Sequence, residues 1–258
     1  MNHAALSPTR LTFGDIAASL REGAALARAT RGVSMAYAAV FSAVGLILIA
    51  SILALGLSPL VLPFAGGFML IGPILLTGYF EMARITEYPA APKLADAFAA
   101  FARAPRSLWL LALVCAFLFL IWITDAGVLY SFTLGGTAMD YGLDWLDTQR
   151  DDLLSFLLWG SLMGSLLAYM IFTISAFSVP LVYERRATLV QAVSASAHAV
   201  IGNFLVCLVW GVVLGSVIVF SVIVLPMLLL TLPVMSYASF ALYRRAFPYD
   251  EKPTADAD

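Results

Sequence analysis

Glu81 and Arg84 stand three residues apart in GPILLTGYFEMAR at 72–84, where a long apolar run ends. On a helix that spacing puts carboxylate and guanidinium on one face, and such a pair contributes about 0.3 kcal/mol when exposed. A carboxylate held within a membrane is a functional group by default. Glu81, however, lies one turn from the arginine that marks the interface, so an anchoring pair is the favoured reading. A second set, Asp140, Asp144, Asp147 and Asp151, follows the spacing i, i+4, i+7, i+11, one face of a helix with Leu146 and Leu153 opposite. The stripe could weakly hold a divalent cation or a cationic partner. Calcium sites usually draw their oxygens from a folded loop, so an exposed acidic face is expected. A third set is basic. ALARATRG at 25–32 and AFARAPRS at 100–107 match at Arg28 and Arg103, and ASAHAVIG at 195–202 places His198 at the same point. These cations could bind an anionic ligand, but anchoring to lipid phosphates is the simpler role. His198 is the one anchor that could titrate near neutral pH.

Other chemistry is not encoded. The two histidines are His3 and His198, too few for a haem-ligating bundle. Cys115 and Cys207 lie inside apolar runs and read as small core residues. No phosphate-binding loop, H-E-x-x-H or G-x-S-x-G motif occurs. No charge falls mid-span, which argues against a proton relay or a transporter of charged substrates. Gly66, Gly67, Gly72 and Pro73 could unwind a helix around a substrate, although packing kinks are the commoner outcome. No catalytic residue, metal, cofactor or nucleic-acid partner is expected.

The elements that carry these residues are membrane-spanning. The chain is 62% hydrophobic and 12% charged, with a mean hydropathy of +0.95. Soluble domains carry about twice that share of charge, so much of this surface must face lipid. Apolar runs long enough to cross a bilayer predict an all-α fold of six spans, at about 35–57, 59–81, 107–124, 154–180, 202–223 and 226–243. They form one membrane domain over 35–247, after a leader at 1–34 and before a disordered tail at 248–258. The leader lacks the pattern of a cleaved signal peptide. Every lysine and arginine except Arg150 falls in the leader, between spans two and three, after span four or after span six. The loop at 125–152 holds six aspartates. The positive-inside rule then places both termini in the cytoplasm and the acidic loop outside.

The spans read as three hairpins, each preceded by a short interfacial helix. Thr12-x-x-Asp15 and Thr188-x-x-Gln191 have the form of capping boxes. Phe13, Ile16 and Leu20 recur opposite Asp15, Ser19 and Glu22, and Leu94, Phe98 and Phe101 recur opposite Asp96 and Arg103. Gly160-x-x-x-Gly164 and Gly211-x-x-x-Gly215 suit close helix packing, within the chain or between copies.

With LTFGDIAASLREG, the GP…GYFEMAR exit, VPLVYERRATLVQAV and LP…FALYRRAF in place, the chain resembles a bacterial family of integral membrane proteins of unknown function. Some members of that family are described as cytochrome c oxidase subunits. The resemblance runs over about residues 10–247 and implies a respiratory membrane complex as partner. It supplies no catalytic or binding residue. The expectation is therefore a non-enzymatic accessory, scaffold or assembly component of a bacterial inner membrane. The alternative is a transporter or lipid-handling protein with a mid-membrane cavity.

Overall fold

The computed structural model describes residues 7–57, 60–61, 76–134 and 150–249. Every regular element among them is helical. The order is α1 (Phe13–Ala29), α2 (Arg31–Ala54), α3 (Thr77–Thr86), α4 (Leu94–Ala102), α5 (Arg106–Thr133), α6 (Arg150–Ser175), α7 (Ser178–Tyr183), α8 (Leu189–Gly202), α9 (Phe204–Ile223) and α10 (Leu228–Ala246), with a 3-10 turn at Leu225–Met227 before α10. Four stretches are long and apolar enough to cross a membrane: Arg31–Ala54, Arg106–Thr133, Asp151–Tyr183 and Phe204–Ser221. Most of the second predicted span and the loop aspartates Asp140, Asp144 and Asp147 lie outside the described residues.

A short helix runs directly into a long apolar one at three places: α1 into α2, α4 into α5, and α8 into α9. Local sequence starts each short helix. Thr12 accepts from the Asp15 N–H at 3.3 Å, while the Asp15 carboxylate accepts from the Thr12 N–H at 2.8 Å. The Thr12 hydroxyl, which donates to Asp15 Oδ2 at 2.7 Å, and the Thr12 N–H together lower the pKa of that carboxyl. At α8, the Thr188 N–H and hydroxyl both donate to Gln191 Oε1. The α4 start repeats the carboxylate half, with the Lys93 N–H donating to Asp96 Oδ2 at 2.8 Å.

Of the bulky residues at helical spacing, Ile16 is buried and Leu20 and Phe101 are half-buried against the core, while small residues take most of the remaining inward positions. In α1 the buried residues are Ile16, Ser19 and Gly23, while Phe13 is exposed. In α4, Ala97 and Ala100 are buried, and Leu94 and Phe98 are exposed. In α8 the alanines Ala192, Ala195 and Ala199 and Ser196 face in, and Val190 and Ile201 face out. Small residues at these positions let the helix backbones approach closely, which a bulky side chain would prevent. At Gly23 the approach is closest: a Cβ there would stand 2.6 Å from Ala238 N and 2.7 Å from Val234 O of α10.

Two breaks have identifiable causes. After α2, Gly56 sits at φ +71°, its N–H donates to Leu53 O, and the Leu57 N–H donates to Ile52 O. That is a Schellman stop, and the positive φ requires glycine at little cost. The second break separates α6 from α7. Pro180 has no N–H to donate to Ala176, and its ring crowds that carbonyl. The helix opens at the Thr173–Phe177 pair, and Ser196 of α8 fills the gap. Its hydroxyl donates to Thr173 O at 2.8 Å and accepts from the Phe177 N–H at 3.2 Å. Backbone groups freed within a membrane must find partners in this way.

The small-residue pairs do not act alike. Gly164 seats the ring of Trp122, which a Cβ would meet at 2.9 Å. Gly211 and Gly215 have nothing within 4 Å of a built Cβ, so they leave space and bring no backbone close. Packing within the chain therefore does not use that pair: both glycines line an apolar cavity of about 340 Å³ bounded by α6, α7, α9 and α10, with Phe80 of α3. The cavity expected around Gly66, Gly67, Gly72 and Pro73 concerns residues outside those described.

Candidate functional site

The described polar side chains converge where α3, α7 and α10 end. Each exit pairs an aromatic residue with charges: Phe80-Glu81 with Arg84, Tyr183-Glu184 with Arg186, and Tyr243-Arg244-Arg245. Phe80 stacks on Phe240 with centroids 5.0 Å apart and meets Tyr183 edge-on, which brings the three ends together.

Charge then links them. Glu81 Oε2 accepts from Arg84 at 3.2 Å and from the Tyr183 hydroxyl at 2.7 Å. Glu184, with 3% of its side chain exposed, lies 2.8 Å from Arg244 Nη2 and accepts from the Tyr243 hydroxyl at 2.6 Å. The Arg244–Glu184 contact is Coulombic more than directional, since Glu184 Oε1 and Arg244 Nε lack hydrogen-bond geometry. Arg244 also reaches Glu87 at 3.2 Å. Arg245 turns the other way, to Glu22 at 3.1 Å and Asp15 at 3.9 Å, and so ties α1 to α10.

A turn aims Arg186. Arg185 holds φ +56°, the Arg185 N–H donates to Val182 O, and the Arg186 N–H donates to Leu181 O. This is the same helix stop as at Gly56, made without glycine. Arg186 then donates to the Tyr243 hydroxyl, to Phe247 O at 2.7 Å and to Pro248 O at 2.8 Å. Tyr249 lies within cation–π range of Arg186 and Arg244, at 4.6 and 4.3 Å. Burial, and the Glu184 charge after it, push its hydroxyl pKa up. Pro248 and Tyr249 are thus held against the exits, and residues 250–258 lie outside those described.

The arrangement neutralises its own charges. Glu81 and Glu184 are each engaged by a guanidinium and a tyrosine hydroxyl. Replacing Glu184 by alanine is expected to cost about 2–3 kcal/mol, because the pair is buried on one side and Arg244 is left without its nearest carboxylate. Glu81→Gln should stay within about 1 kcal/mol, since Arg84 is largely solvated and an amide still accepts from Tyr183. Unfolding midpoints of the two variants in detergent compare these costs.

Beside the exits lies a buried hydroxyl network. The Tyr237 hydroxyl is 2.7 Å from Ser34 Oγ and 3.1 Å from Thr30 Oγ1, and the Tyr79 hydroxyl donates to Ser34 O. Tyr37, Tyr79 and Tyr237 meet edge to face in series. The network joins α2 to α3 and α10 and has a structural character.

Of the residues singled out by sequence, Glu81 and Arg84 meet each other and join the exit cluster. Arg28 donates from Nε to Ala24 O of its own helix. Arg103 is the exposed C-cap of α4. His198 is exposed, with Nδ1 2.7 Å from Ser194 O. These three do not enter the cluster, and Asp151 stands in the first turn of α6. Sequence reasoning missed Glu184, Arg186, Arg244 and Tyr249 as partners. The available signal was the repetition of an aromatic residue followed by charge at three span ends.

The family model described as "Predicted integral membrane protein (DUF2189)" matches residues 61–184, just under half of the chain. The match covers α3 to α7, and with the four apolar helices it marks an integral, multi-pass membrane protein. Neither the curated proteins nor the solved structures contain a match.

Proposed function

We propose that the chain is a six-span, non-catalytic accessory or assembly component of a bacterial inner membrane, with both termini cytoplasmic. The observation that carries this is the exit cluster, in which charge from three span ends is spent on holding the ends together, as a scaffold requires. The distribution of lysine and arginine supports the orientation. The family resemblance extends the reading to a cytochrome c oxidase as partner.

A second reading, a lipid-handling or transport protein, is favoured by the apolar cavity along Gly211 and Gly215. One experiment separates the two. Tagged protein is purified in mild detergent, its co-purifying proteins and lipids are identified by mass spectrometry, and an absorption spectrum is recorded. Oxidase subunits in stoichiometric amount with a haem spectrum are expected. Protein that emerges colourless and alone removes the oxidase link. Protein that emerges alone with one tightly held apolar molecule favours the second reading.

A further inference from the structure

We infer that the arginine pairs Arg28/Arg31 and Arg103/Arg106 bind the headgroups of anionic phospholipids. Each pair straddles a junction where a short helix hands over to a long apolar one. Arg28 is in the last turn of α1 and Arg31 opens α2; Arg103 caps α4 and Arg106 opens α5. That is the depth at which the chain enters hydrocarbon. Trp109, exposed and edge-on to Phe101, stands one turn beyond Arg106, where an interfacial tryptophan belongs.

Three arginines at the span exits and in α10 are paired internally, whereas the junction arginines, like Arg10, Arg21 and Arg185, are not. Arg84, Arg244 and Arg245 each have a carboxylate within 3.2 Å. The four junction arginines are exposed and have no carboxylate partner among the described residues. Tyr37 of α2 meets Phe98 of α4 at 5.3 Å, so the two junctions belong to one packed unit. A guanidinium pair facing the bilayer surface, without an internal counterion, is complementary to phosphate, which it can take bidentately. The first turns of α2 and α5 reinforce this. They carry no acidic residue and no side-chain cap, unlike the carboxylate-started α1 and α4.

The third junction shows the alternative. Its C-cap, Asn203, accepts from the Leu11 N–H at 2.7 Å and donates to Thr9 O, so the leader of the chain occupies that junction. No arginine pair is present there. Two junctions are open to lipid and one is closed by protein.

The inference needs only that the chain lies in a bilayer. It stands or falls apart from the accessory role, which co-purification tests. The full chain in detergent is titrated with phosphatidylglycerol and with phosphatidylcholine, and bound lipid is counted by native mass spectrometry. R28Q/R31Q and R103Q/R106Q are each expected to weaken phosphatidylglycerol binding at their junction roughly thirty-fold, since each basic residue near an anionic surface contributes about fivefold. Phosphatidylcholine binding should not change. R21Q/R185Q, which removes two exposed arginines away from the junctions, should retain the anionic lipid. Equal loss in R21Q/R185Q, full retention in both junction variants, or displacement of the lipid by inorganic phosphate would each overturn the assignment. The thermal midpoints of the variants without added lipid identify any that fail to fold, and the remaining junction pair then carries the test.

Discussion

Ser196→Ala is expected to lower the stability of the folded protein by about 2–4 kcal/mol, because it orphans one buried N–H and one part-buried C=O at about 1–3 kcal/mol each. The two groups are Phe177 N and Thr173 O, which Pro180 keeps from bonding to each other. No water lies in the hydrocarbon to replace the hydroxyl. Ser175→Ala is the matched control. Ser175 is also buried, but its hydroxyl donates only to Ile171 O of its own helix. It should cost well under half as much. The comparison is read as thermal unfolding midpoints in one detergent, and equal shifts for the two variants would show that the Ser196 bridge does not support the break.

Gly23→Ala is the second large effect. A single methyl group would meet backbone atoms of Val234 and Ala238 below 3 Å, and backbone cannot swing aside as a side chain can. Relief requires α1 to lift from α10, which stretches the Arg245 pairs to Glu22 and Asp15 and the Thr30–Tyr237 contact. Overpacking of this kind costs about 2–3 kcal/mol, and Gly23→Leu more. The contrast is Gly127→Ala in α5, where a Cβ meets nothing within 4 Å. That change should be neutral or add up to about 1 kcal/mol of helix propensity. A Gly23→Ala protein as stable as the Gly127→Ala protein would mean that the α1–α10 crossing is looser than described.

Local features were legible in the sequence because their causes are local. A run without charge is a candidate span whatever surrounds it. The Thr12/Asp15 and Thr188/Gln191 caps form between residues three apart. The α4 helix was legible from Leu94, Phe98 and Phe101, but its cap was not, because the N-cap is lysine and the bond there needs only the Asp96 carboxylate and a backbone N–H. Glu81 and Arg84 were legible for the same reason, as neighbours on one helix face. Glu184 and Arg244 were not, since nothing in either segment names its distant partner.

What the sequence by itself determined is membrane residence and the apolar runs with their charged ends. What only the tertiary structure decided is which face of each helix turns inward and which charges meet. At a membrane interface Phe13, Leu94 and Phe98 can stay exposed while Ile16 of the same series packs inward, so helical spacing alone does not say which bulky residues form the core. Fit between backbones then decides, and it selects Ser19, Gly23, Ala97 and Ala100.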